Sequence, residues 1–154
     1  MRILCVKPSS FGDILHLFPT LALLSAKYPE AILDFVVNPE FVQLLDYSPF
    51  PVTRKIVFER RKLANPQSFL PELYSLCGEI RKERYDFAVD FQGLMRSGFC
   101  LFVSRAKIKG GFANPREKLA KLFYNRRIAT RALHAVERYH ELAEGRFGPF
   151  KDEL

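Results

Sequence analysis

The stretch Arg2-Ile3-Leu4-Cys5-Val6-Lys7-Pro8-Ser9-Ser10-Phe11-Gly12-Asp13-Ile14-Leu15-His16 decides the fold, because within it the hydrophobic period changes from that of a strand to that of a helix. Arg2 to Lys7 is a short apolar strand. Beyond the turn, Ile14, Leu15, Leu17, Phe18, Leu21, Leu23 and Leu24 recur at helical spacing up to Pro29. The turn itself is built of small and flexible residues, so its backbone amides can approach a ligand closely. Asp13 opens the helix at the carboxyl end of the first strand, the edge on which ligands bind in open α/β sheets. On this segment alone the plainer reading of Asp13 is a helix cap.

The same alternation continues outward from that turn. Ala31 to Val37 is a second strand, and Asn38-Pro39-Glu40 opens a short helix through Leu45, with Asn38 as cap and Pro39 at the first position. Arg54 to Phe58 is a third strand, followed by a basic loop from Arg60 to Pro66. Phe69, Leu70, Leu73, Leu76 and Ile80 mark a helix, and Phe87 to Phe91 is a fourth strand closed by Gln92-Gly93. Met95 to Val103 is an apolar helix and Lys107 to Gly111 a fifth strand. Asn114-Pro115-Arg116-Glu117 repeats the cap-plus-proline opening for a helix to about Tyr124. A last helix runs from near His134 to about Glu144, stopping before Gly145. This order predicts an α/β fold: a Rossmann-like parallel sheet of five or six strands with helices on both faces. Its expected core includes Ile3, Leu4, Val6, Leu33, Phe35, Val36, Ile56, Val57, Ala88 and Val89.

A chain of 154 residues with 48% hydrophobic content suffices for one domain with a sizeable core. We assign it to residues 1–144, with 145–154 as the start of a linker or a tail. The formal charge of +7 favours anionic partners: phosphorylated or carboxylated ligands, membrane surfaces or nucleic acid. Charge that merely keeps a surface soluble is at least as common. Cys5, Cys77 and Cys100 are scattered without metal-site spacing, which suggests a reducing compartment. No apolar run approaches the roughly 18 residues that span a bilayer, and no signal-peptide layout opens the chain. Lys151-Asp152-Glu153-Leu154 matches an endoplasmic-reticulum retention signal by letter and, without a secretory signal, is expected to be fortuitous. No Gly-x-Gly-x-x-Gly follows the first strand, so no dinucleotide is expected. Neither a cofactor nor a metal is called for.

Three turns lie at the carboxyl ends of predicted strands: Ser9 to Asp13, Glu59 to Lys62, and Asp90 to Ser97. Parallel topology brings such turns to one edge, where they can share a crevice. It would hold the Asp13 carboxylate, the hydroxyls of Ser9 and Ser10, and the cations Arg60, Arg61 and Arg96. That set suits an anionic, polyhydroxylated ligand, since arginine grips carboxylate and phosphate bidentately. Each member has a plainer alternative. Arg60-Arg61 reads equally as a solvated charge run, Asp90 as a partner for its own loop, and His134 as a helix-end surface residue.

Four motifs resemble a known family. Residues 1 to 14, Tyr85-Asp86-Phe87-Ala88-Val89-Asp90-Phe91-Gln92-Gly93-Leu94-Met95-Arg96-Ser97, Arg116-Glu117 with Phe123-Tyr124, and His134-Ala135-Val136-Glu137-Arg138 are similar, in order and spacing, to the lipopolysaccharide heptosyltransferases of glycosyltransferase family 9. The type I subgroup is the nearest, on the Arg60-Arg61 loop and the Arg-Glu and His-Ala-Val runs. The resemblance implies the acceptor-binding N-terminal half of a GT-B enzyme, with Asp13 as the general base that deprotonates an acceptor sugar hydroxyl. It makes Ser9, Ser10, Gly12, Arg60, Arg61, Gln92, Arg96, Arg116 and His134 candidate acceptor contacts. The implied acceptor is the Kdo-lipid A inner core. The implied donor is ADP-heptose, bound only if a C-terminal donor domain is supplied. Family members are about twice as long, so the isolated chain is expected to be inactive. The implied location is the cytoplasmic face of the inner membrane of a Gram-negative bacterium, as a peripheral protein. The alternative is a non-catalytic Rossmann-like module binding a phosphorylated ligand or nucleic acid. The cations are dispersed rather than gathered in one stripe, so nucleic acid is not the expected partner.

Overall fold

Six strands form one parallel sheet: β1 (Arg2–Val6), β2 (Ile32–Val37), β3 (Val52–Val57), β4 (Phe87–Asp90), β5 (Ile108–Phe112) and β6 (Arg126–Ile128), in the spatial order β3-β2-β1-β4-β5-β6. The computed structural model describes residues 1–147; the Lys151–Leu154 run and most of the expected tail lie outside them. Four α-helices lie in the connections, α1 (Phe11–Lys27), α2 (Arg60–Ala64), α3 (Phe69–Arg81) and α4 (Met95–Ser104), with 3-10 helices at Pro39–Tyr47 and Lys118–Phe123; a fifth, α5 (Ala135–Phe147), follows the last strand.

The strands alternate sides with period two, and both sides are covered. Ile3 and Cys5 of β1, with Leu33 and Phe35 of β2, pack with Leu17, Leu21 and Leu24 of α1 and Leu142 of α5. Leu4 and Val6, with Val36 and Ile56, pack with Leu76 and Ile80 of α3 and Leu101 of α4. A strand buried on both faces reads as a continuous apolar run, which is why β1, β2 and β4 were visible in the sequence. Because every pair is parallel, all six carboxyl ends lie on one edge. The chain leaves β1 for β2 on one side and reaches β4 on the other, so the topological switch point falls beside the turn that holds Asp13.

Several local expectations are corrected. Val57 is not core: β3 is an edge strand, and Val57 stays 36% exposed. The basic segment after β3 is not a loop but helix α2, closed by Leu63 N–H to the Glu59 carbonyl at 3.0 Å and held by the Ser68 hydroxyl on the Lys62 carbonyl at 2.8 Å. The helix expected from Asn114 is a six-residue 3-10 turn capped by Glu117. Glu117 is pinned to the preceding loop, its N–H on the Gly93 carbonyl at 2.9 Å and its carboxylate on the Met95 N–H at 2.6 Å, so the chain turns too tightly for an α-helix. Strand β6 was not anticipated. Helix α5 passes through Gly145 to Phe147 instead of stopping at Glu144, because that glycine serves close packing: a Cβ there would lie 2.6 Å from Ile128.

One buried charge stabilises the opposite end of the sheet. Asp34, 0% exposed, pairs with Arg2 at 3.0 Å and Arg54 at 3.5 Å, and accepts the Tyr85 hydroxyl at 2.7 Å.

Candidate functional site

At the β1–α1 turn the helix cap is Ser10, not Asp13. Asp13 stands three residues in, and its carboxylate accepts the Ser10 hydroxyl at 2.9 Å and the Ser10 N–H at 3.3 Å. Partial burial opposes its ionisation. The Lys7 ammonium, the two Ser10 hydrogen bonds and His16 outweigh that cost and hold the carboxyl below its usual range. Asp13 is therefore a carboxylate at neutral pH, at a helix N-terminus whose dipole favours the anion. Gly12 leaves the adjoining space open, since a Cβ there would meet nothing within 4 Å.

Lys7 was missed by the sequence reading, although a lysine closing an apolar strand just before the turn was the available signal. It is 4% exposed, and its Nζ lies 5.4 Å from the centroid of the Tyr139 ring of α5. Burial lowers its pKa, against the attraction of Asp13 and Asp90 and with the repulsion of Arg116. Tyr139, placed by α5 into this centre, was also missed.

Asp90 takes the plainer of its two readings. It is 0% exposed and accepts Gln92 N–H at 2.8 Å, Gly93 N–H at 3.1 Å, the Ser97 hydroxyl at 2.9 Å and the Tyr124 hydroxyl. Burial raises its pKa against those donors. Its role is to fold the β4–α4 loop. Gly93 supplies the left-handed turn there, at φ 75°, and a Cβ would lie 3.1 Å from the Arg116 backbone nitrogen. This close approach brings Arg116 to the loop that leads into α4, whose first turn carries Arg96.

Arg96 is half-buried, and burial followed by the neighbouring charge of Arg60 lowers its pKa, with Glu117 opposing and Arg116 adding to the effect. Arg60 at the start of α2, Arg96 in the first turn of α4 and Arg116 in the segment after β5 thus form one positive field from three parts of the chain. Among the described residues none of them enters an ion pair. Like charges this close repel, and an anion among them relieves the repulsion. Arg60 and Arg61 line a depression of about 620 Å³ with Asn38, Glu40 and Glu59, at the carboxyl ends of β2 and β3. The side-chain oxygens of Asn38 and Gln92 are buried without hydrogen-bond partners, two acceptors flanking the end of β1. Ser9 is half-buried beside the cap. His134 is not brought into this group: it is exposed ahead of α5, and its described contact is its carbonyl accepting the Arg138 N–H at 3.0 Å. Among the described residues no three His, Cys, Asp or Glu side chains gather as metal ligands, and no helix is long and apolar enough to cross a membrane.

A family model for glycosyltransferase family 9 (heptosyltransferase) matches residues 73–154, more than half of the sequence. The chain belongs to this glycosyltransferase family. Its fold is the same evidence in three dimensions: E. coli heptosyltransferase WaaC with ADP superimposes over 100% of this chain and 48% of the relative, with a TM-score of 0.82 and 31% identity. The same enzyme with ADP-2-deoxy-2-fluoro heptose gives 0.83 at 32% identity, again over 48% of its length. Lipopolysaccharide heptosyltransferase 1 of Escherichia coli K12 is 34% identical over 148 residues, which are 92% of this chain and 46% of that one. The chain spans about half the length of the curated relatives it matches. The family-9 fold therefore accounts for a sheet whose switch point presents Asp13.

Proposed function

We propose that this chain is the acceptor-binding, base-bearing half of an inverting glycosyltransferase that moves heptose from ADP-heptose to the Kdo-lipid A inner core. The observation that supports this most is Asp13: an ionised carboxylate at the switch point of the sheet, fixed by Ser10 and bordered by a positive centre. In an inverting displacement the acceptor oxygen forms its bond to the anomeric carbon as the bond to the diphosphate breaks. ADP leaves with the bonding pair, and Asp13 takes the hydroxyl proton as the attacking oxygen becomes acidic. A carboxylate is a weak base toward a resting hydroxyl and an adequate one toward a hydroxyl losing charge in the transition state.

Arg60, Arg61, Arg96 and Arg116 would hold the acceptor's carboxylate and phosphate groups. Ser9, Ser10, Gln92 and the backbone around Gly12 would meet its hydroxyls. His134 would contribute only if the bound acceptor extends along the edge toward α5. The donor would be held by the half of the fold that the matched relatives have beyond this one, so residues 1–144 are expected to be inactive alone. The +7 charge and a lipid-borne acceptor together suggest salt-sensitive, peripheral contact with the cytoplasmic face of the inner membrane.

The test is heptose transfer by Asp13→Asn, with the chain joined to a family donor half. Loss of transfer with retained acceptor binding supports the reading, and near-normal transfer removes Asp13 from the chemistry.

A further inference from the structure

Beside the positive centre runs a second, quite different feature. Helices α2, α3 and α4 enclose a groove of about 620 Å³ whose walls include Leu63, Phe69, Leu73, Met95 and Phe99. Two charged side chains line it, and both are cations of the centre described above: Arg60 and Arg96. Apolar walls ending in two guanidiniums that enter no ion pair among the described residues form an amphiphilic site. A purely apolar ligand would leave the guanidiniums unanswered, and a small anion would leave the hydrocarbon walls wet. Two nearby carboxylates are already committed: Glu117, which caps the 3-10 helix, to the Met95 N–H, and Glu72 of α3 to Lys62 at 4.0 Å.

The apolar surface also continues outward. Phe102 is 57% exposed, and its ring lies 6.3 Å from that of Phe99 and 6.2 Å from that of Phe123. Phe123 ends the 3-10 helix in which Leu119 and Leu122, 60% and 66% exposed, alternate with Lys118 and Lys121. The groove thus opens toward a surface of apolar residues interleaved with lysines, which suits a ligand drawn from an anionic lipid surface.

We propose that this groove binds the hydrocarbon chain of an anionic lipid, with the lipid's phosphate or carboxylate held between Arg60 and Arg96. The identity of that lipid as the sugar acceptor rests on the proposed function above; the groove's preference for chain-bearing anions does not. Such binding would deliver the polar head to the edge where Asp13 stands and would leave the hydrocarbon out of the way of transfer.

The chain contains no tryptophan, so Phe99→Trp places a single reporter in the groove. Leu73→Trp on α3 serves as a second reporter should the first disturb folding. Titration with butyl, octyl and dodecyl phosphate, each below its micellar concentration, is expected to give a saturable blue shift. Affinity should rise about twofold to fourfold per added methylene until the groove is filled. Replacing both Arg60 and Arg96 by alanine should weaken dodecyl phosphate binding about tenfold or more, while dodecyl maltoside binding stays as it was. Leu73→Asp should abolish the shift without altering the far-ultraviolet circular dichroism. Affinity independent of chain length, displacement by an equal concentration of inorganic phosphate, or equal binding of dodecyl maltoside and dodecyl phosphate would each overturn the proposal. None of these outcomes bears on transfer by Asp13→Asn, so the two readings fail separately.

Discussion

The ammonium of Lys7 lies over the ring of Tyr139, 5.4 Å from its centroid, and from there its charge acts on both Asp13 and Asp90. A strand end, a helix start and the last described helix thus meet at one buried cation. The aromatic face offsets part of the desolvation that the ammonium suffers. The remainder appears as a pKa below the ordinary lysine value.

Lys7→Met should move the pH dependence of transfer. The ammonium helps to hold the Asp13 carboxyl low, so its loss raises that pKa and shifts the acid limb of the rate profile to higher pH. The rate near neutral pH should change little. Stability should respond in the opposite sense. The folded pKa of Lys7 lies below 10.5, so the charged form opposes folding, fully below the folded pKa and less as pH rises toward 10.5. Lys7→Met should therefore be at least as stable as the parent at neutral pH, with the difference narrowing in alkali. An unmoved acid limb would remove Lys7 from the site.

Asp13→Asn separates the base from the capping function. Asparagine keeps one oxygen to accept from Ser10, so the thermal midpoint should fall by less than the equivalent of about 1 kcal/mol. The proton acceptor is lost, and the rate of heptose transfer should fall roughly 100-fold or more. Calorimetry and transfer assays on the same preparation give both numbers.

Asp34→Ala should be severely destabilising, by about 3 kcal/mol, because it leaves Arg2, Arg54 and Tyr85 facing a vacated buried position. Binding at the opposite edge should be intact in whatever fraction stays folded. Urea titration followed by circular dichroism reads the loss.

Gly145→Ala should cost about 1–3 kcal/mol, since its Cβ would meet Ile128 at 2.6 Å. Ile128→Ala in the same chain should recover part of that loss, giving a favourable coupling in a double-mutant cycle. Additive losses would mean that α5 does not cross β6 at this point.

The parallel sheet was legible because β1, β2 and β4 are apolar on both faces and the helices between them keep their period. What escaped was set by distance in the sequence. Asp34 sits in an otherwise apolar strand and makes sense only with Arg2, Arg54 and Tyr85 around it. Strand β6 has three residues, Arg126–Ile128, too few to show a period. The 114–124 segment carries a proper cap-and-proline opening, yet the attachment of Glu117 to Gly93 and Met95 overrides it. Asp13 and the arginines could be placed at one edge of the sheet because turns at strand ends are predictable. Lys7 and Tyr139 were not, because their meeting depends on where α5 lands.

That landing also sets an order of events during synthesis. The Tyr28 hydroxyl donates to the Phe147 carbonyl at 3.0 Å across 119 residues, and Leu142 completes the cluster begun by Ile3, Leu17 and Leu21. The other side of the sheet gains its main cover from α3 and α4 by residue 104. As the chain leaves the ribosome, one side of the sheet can close early while the side bearing α1 remains open until α5 emerges. A nascent chain stalled before residue 135 would present the part of that apolar face that α1 leaves uncovered to chaperones and proteases, and Asp13 would not yet have its finished surroundings.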